Sequence, residues 1–91
     1  MNNRIVVLGG GESGVGAAVL AKVKGFDVFL ADKGKIEDKY VKMLEQWEIP
    51  FEQGGHTEDL ILNASEVIKS PGIPSTVPLV KKIEAAGIGI V

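Results

Sequence analysis

No cysteine occurs in the chain, which excludes a disulfide scaffold and a thiolate metal site. There is one histidine, His56. A lone imidazole without a thiolate or a second imidazole makes a poor metal centre, so His56 is expected to brace a turn or face solvent, with a ligand contact as the alternative, and no metal is expected. Neither sign of charge dominates. Ten Lys and Arg against twelve Asp and Glu leave a net charge of −2, with no basic footprint for nucleic acid. Long hydrophobic runs are missing. The apolar stretch after Arg4 stops at Gly9, too short for a signal segment or a membrane span. A cytoplasmic location with no membrane partner is the expectation. There is no internal repeat, low-complexity segment or linker.

What is present fits one domain, residues 1–91. A chain of 91 residues buries about two-thirds of its unfolded surface, enough for one core. Residues 5–8 form a continuous, largely β-branched apolar run, the mark of a strand covered on both faces. Residues 15–23 are nearly all apolar and alanine-rich, which favours a helix lying on a sheet, with Gly25 ending it. A second strand is expected at 26–31. From 37 to 48, Tyr40, Met43, Leu44 and Trp47 fall on one stripe of an amphipathic helix, which places Trp47 in the core. Residues 49–53 read as a short third strand, suited to an edge by Pro50. Thr57 is expected to cap a short helix through residue 62, with Glu58 and Asp59 as favourable first-turn charges. A fourth strand centres on Val67 and Ile68. Ser75 or Thr76 then caps a helix to residue 86, with Pro78 in its first turn and Gly87 closing it. Residues 88–91 give a fifth strand. This alternation predicts an α/β fold: a Rossmann-like, five-stranded parallel sheet with helices on both faces.

The chemistry concentrates in three loops. The first is Gly9-x-Gly11-x-x-Gly14, between a strand and a helix. The first glycine allows a tight turn, the second lets backbone approach a phosphate, and the third lets helix and strand pack. The helix N-terminus offers free N–H groups to an anion, and Ser13 adds a hydroxyl donor. The second is Asp32 at the end of the second strand. In dinucleotide folds an acid there bonds ribose hydroxyls; a solvated loop aspartate is the plainer alternative. The third is Ser70-Pro71-Gly72-Ile73-Pro74 after the fourth strand, expected beside the glycine loop. Its stiffness suits edge-on contact with a flat base, and equally a purely structural turn.

The stretches "VVLGGGESGVGAA", "VFLADKG", "FEQGGH", "VIKSPGIP" and "AAGIGIV" together resemble the N-terminal domain of the Mur ligases along the whole chain. Within that family the sequence looks most like the members that add D-glutamate to UDP-N-acetylmuramoyl-L-alanine in peptidoglycan synthesis. The resemblance implies that the domain holds the uridine diphosphate of that substrate. It puts Gly11, Glu12, Ser13 and Gly14 at the phosphates, and Asp32, Lys33, Ser70, Pro71 and Gly72 at the uridine. Glu12 departs from the family pattern. A carboxylate in the loop repels diphosphate unless it points outward or pairs with a lysine such as Lys33 or Lys35.

A nucleotide P-loop, G-x-x-x-x-G-K-[ST], is missing. The one Gly-Lys pair, Gly34-Lys35, is followed by Ile36, and Phe29 stands where the first glycine belongs. By the resemblance, ATP, Mg2+ and the amino-acid pocket belong to later domains. The chain then reads as the first domain of a longer ligase, partnered by the remaining domains and inactive alone, with no cofactor or catalytic residue of its own. Two other readings use the same loops: a nicotinamide-dinucleotide domain, and a fragment that binds nothing.

Overall fold

The computed structural model describes residues 3–70, 72–73 and 76–91. Five strands and four helices alternate. The strands are β1 (Arg4–Leu8), β2 (Asp27–Asp32), β3 (Phe51–Gln53), β4 (Glu66–Lys69) and β5 (Gly89–Ile90). The helices are α1 (Glu12–Val23), α2 (Asp38–Gln46), α3 (Glu58–Ile61) and α4 (Pro78–Ala85). All strand pairings are parallel, in the order β3-β2-β1-β4-β5. The chain runs outward from β1 to β3, then crosses to β4 and runs outward again. Right-handed crossovers in opposite directions put their helices on opposite faces.

The core divides accordingly. Ile5, Val7, Val28 and Leu30 meet α1 and α2 residues on one face. Val6, Leu8, Phe29, Ala31 and Val67 meet Ile61 and Ile83 on the other. β1 alternates between the two, so Val6, Val7 and Leu8 are all fully buried, which is why the strand shows no polar position after Arg4.

Glycine stops the helices where expected. Gly25 (φ +92) and Gly87 (φ +76) take the left-handed conformation, and their N–H groups bond back to Lys22 and Glu84 carbonyls, a standard way to end a helix. β3 is an edge strand starting after Pro50, as its missing donor requires.

Four expectations need correction. α1 starts at Glu12, not Val15: Ser13 and Gly14 cost little in a first turn whose amides have no intrahelical partner. Trp47 is 39% exposed, and Met43 is 40% exposed. The helix ends at Gln46, and Glu48 turns left-handed (φ 56), so the stripe stops before the indole. Tyr40, Val41 and Leu44 cover the sheet instead, with Ile36 and Ile49 filling the core beside them. Thr57 occupies the N-cap of α3 but makes no cap bond; its hydroxyl donates to Glu52. Val77, not Thr76, is the N-cap of α4, with Pro78 at the start of the helix. Ser75, the other candidate cap, lies outside the described residues, as does Pro74.

Candidate functional site

The sheet order reverses at β1, and the crevice expected at such a switch point lies beyond the carboxyl ends of the strands. A crevice of about 710 Å³ is found there. Gly9, Gly10 and Gly11 form its floor. Asp32, Lys33, Gly54, Gly55 and His56 line the β2–β3 side, and Ser70, Gly72, Ile73, Val77, Pro78 and Leu79 the β4–α4 side.

The three glycines of the motif do three different things. Gly9 is left-handed (φ +111) and donates its N–H to the Ala31 carbonyl at 2.8 Å. A Cβ on it would sit 2.7 Å from the Ser70 Cβ. Gly14 is buried, and a Cβ there would overlap the Gly9 carbonyl oxygen and lie 3.5 Å from Val7 Cγ1. It is the packing glycine. Gly11 has ordinary extended geometry (φ −84, ψ −169) and open space where a Cβ would be. It caps α1 without a side-chain bond, so the first-turn amides of α1 are left for an incoming acceptor.

The structure brings Gly11, Asp32, Lys33, Ser70 and Gly72 to one crevice. Glu12 and Ser13 follow Gly11 on exposed positions of the first turn, next to the lining rather than in it. Gly14 stands behind the loop. Pro71 lies outside the described residues. Asp32 is half-buried and is not a free loop carboxylate. Its Oδ2 accepts the Gly10 N–H at 2.7 Å, and its Oδ1 accepts the Gly34 N–H at 2.8 Å. On the other wall the Ser70 N–H reaches the Leu8 carbonyl at 2.9 Å. The Lys69 ammonium donates to the Ile73 carbonyl at 2.6 Å and holds the following loop.

His56 differs from the expectation of a solvent-facing turn residue. It is half-buried in the crevice wall, and its Nε2 is shielded from solvent without a hydrogen-bond partner among the described residues. Sequence reasoning missed the lining role of Gly54 and Gly55 and left that of His56 as an alternative, although their place just after a strand was the available signal. The apolar wall that Val77 and Leu79 add beside Ile73 was missed as well. Nearby, Glu52 accepts both the hydroxyl and the N–H of Thr57. These two bonds hold its carboxyl below the ordinary value, because they favour the charged form.

Residues 3–91 match the family described as Mur ligase MurD-like, N-terminal domain. The chain belongs to this family. It is 59% identical over 88 residues to the UDP-N-acetylmuramoylalanine--D-glutamate ligase of Bacteroides thetaiotaomicron, covering 97% of this chain and 20% of that protein. Identity to the ligase of the same name from Christiangramia forsetii is 54% over 91 residues, again covering 20% of it. This MurD-like domain therefore spans about one fifth of the length of the curated relatives it matches. Among solved structures, a pseudomurein peptide ligase type C from Methanothermus fervidus superposes with a TM-score of 0.84 at 27% identity, over 99% of this chain and 19% of that one. The UDP-N-acetylmuramate:L-alanyl-gamma-D-glutamyl-meso-diaminopimelate ligase of Neisseria meningitides shares the fold, with a TM-score of 0.80 at 21% identity, over 100% of this chain and 28% of that one. No helix among the described residues is long and apolar enough to cross a membrane.

Proposed function

We propose that this MurD-like domain holds the uridine diphosphate of UDP-N-acetylmuramoyl-L-alanine for a ligase that adds D-glutamate in peptidoglycan synthesis. The observation that carries the reading is the open first turn of α1 at Gly11, facing a crevice at the switch point of the sheet. The amides of the first turn suit a diphosphate, with the Ser13 hydroxyl as a further donor. Asp32, Lys33, Ser70 and Gly72 form the uridine end. Glu12, exposed on the helix, stays clear of the anion. ATP and Mg2+ act through the remaining domains, and a cytoplasmic location goes with that chemistry. The dinucleotide reading has less support, because both oxygens of Asp32 already accept backbone amides.

Calorimetric titration with UDP and NAD tests the proposal. UDP is expected to bind at high-micromolar dissociation constants or weaker, since few contacts must offset the entropy of association. Tighter binding of NAD than of UDP would favour a dinucleotide domain. The decisive variant is Gly11→Val. Its φ is negative and its Cβ position is open, so the fold should lose no more than about 1 kcal/mol. The branched side chain occupies the space a phosphate needs, so binding should vanish. A folded Gly11→Val protein that binds UDP like the parent would remove the glycine loop from the site. Without the remaining domains the chain is expected to form no amide bond and to release no phosphate from ATP.

A further inference from the structure

We propose that Asp32 is a positioning residue for the phosphate-binding loop, and that its carboxylate does not read the ribose. This rests on the nucleotide reading above for its ligand, but not for its geometry. Three loops meet at this one residue. Oδ2 accepts from Gly10 in the glycine loop, and Oδ1 accepts from Gly34 in the turn after β2. The main-chain carbonyl of Asp32 accepts the Gly55 N–H at 3.3 Å, in the turn after β3. That turn is tied back a second time, by Gly54 N–H to the Gly34 carbonyl at 2.9 Å. The floor and one wall of the crevice are thus set from a single position.

Gly10 is pressed against this clamp. A Cβ on it would lie 3.2 Å from Asp32 Oδ2 and 2.7 Å from Ile36 Cγ1, and Ile36 is fully buried. The Gly10 amide therefore points inward to the carboxylate. Gly11, next in the chain, is left facing open space. An ionised acceptor gives short, strong bonds to amides, and two of them fix the direction of the loop better than glycine backbone could alone. The acid that reads ribose in dinucleotide folds is spent here on the protein's own backbone.

Asp32→Asn tests this, because it preserves shape but leaves one of the two amides facing an NH2 group. Nitrogen-labelled protein should show the Gly10 and Gly34 amide protons at low field and slowly exchanging. In Asp32→Asn both signatures should weaken, and the resonances of Gly9 and Gly11 should move with them. Affinities for UDP, 2′-deoxy-UDP and inorganic pyrophosphate should fall by one common factor, about tenfold. Gly10→Ala leaves the carboxylate intact and pushes the loop off it; the same common loss is expected. A loss for UDP that spares 2′-deoxy-UDP would show that the carboxylate reads the sugar, a loss that spares only pyrophosphate would show that it reads the nucleoside, and either would overturn the proposal. So would unchanged UDP binding by Asp32→Asn. If the parent chain binds no UDP, the nucleotide reading fails, and the amide spectra still decide: changes confined to Gly34 overturn the positioning role, and changes through residues 9–11 uphold it.

Discussion

At the amino ends of the strands one long side chain does the joining, whereas at the carboxyl ends short carboxylates and bare backbone do it. Arg4 donates to the Asn63 side chain at 2.9 Å, to Asp27 at 3.1 Å and to the Leu60 carbonyl at 2.9 Å. It also lies 5.3 Å from the Phe29 ring centre, and its own carbonyl accepts from both the hydroxyl and the N–H of Ser65. At the other end, glycine supplies most of the floor. Carboxylates of Asp32 and Glu52 and the ammonium of Lys69 hold backbone groups rather than each other. Side chains fill space, so an end held by them is closed. An end held by amides keeps room for a ligand. The same sheet is thus closed by side chains at one end and left open by backbone at the other, and if the crevice is the binding site, stability and recognition should divide between the two ends.

The largest test of that division is Gly14→Ala. The added methyl collides with the Gly9 carbonyl, a backbone group that cannot move without displacing the loop. Urea unfolding should show a loss of about 1–3 kcal/mol or more, and UDP binding should fall with it. This is the position where recognition and stability are not separable. Arg4→Met should separate them. It removes the guanidinium hydrogen bonds to Asn63, Asp27 and Leu60, keeps those from Ser65 to the main-chain carbonyl, and keeps most of the apolar stem. Stability should drop by about 1–2 kcal/mol, since the ion pair to the exposed Asp27 adds little. UDP affinity of the folded protein should not change. A weaker UDP complex in folded Arg4→Met would show that the two ends are coupled.

The smallest effect concerns pH. Glu52 has a folded pKa below its ordinary value of 4.5, so the unfolded chain binds its proton first as pH falls. Its contribution is fully present above the ordinary value and is lost as pH drops through the folded one. Urea midpoints of the parent and Glu52→Gln should differ near neutrality and converge as pH falls below the ordinary carboxyl value. A constant gap across that range would mean that the bonds from Thr57 do not depend on the charge.

Much of this was legible in the sequence, for reasons that are local. β1 reads as a strand because both its faces are buried and nothing polar interrupts it. Gly25 and Gly87 mark helix ends because a left-handed residue is needed there. The glycine motif and the loop at Ser70 meet because parallel strands place both at one edge of the sheet. The rest turns on backbone turns and partners that lie just outside each pattern. Thr57 looks like a cap until Glu52, from a neighbouring strand, takes its hydroxyl. Trp47 continues a helical stripe on paper, but the left-handed Glu48 ends the helix before that stripe matters. Asp32 is legible as a residue of the crevice, but the pattern cannot show that the Gly10 and Gly34 amides bond both of its oxygens.

The contact between Gly9 and Ser70 carries a consequence for how such a domain can vary. Sixty-odd positions of chain separate these two residues, yet a single methyl group at position 9 would strike the side chain at position 70. Neither loop is therefore an independent module. A redesign that grafts a new glycine loop for another nucleotide inherits the size limit at position 70. One that enlarges position 70 to reshape the pocket presses on the glycine loop. Substitutions at the two sites should be tolerated as matched pairs, and a library built at both positions together should recover folded proteins that libraries at either alone would miss.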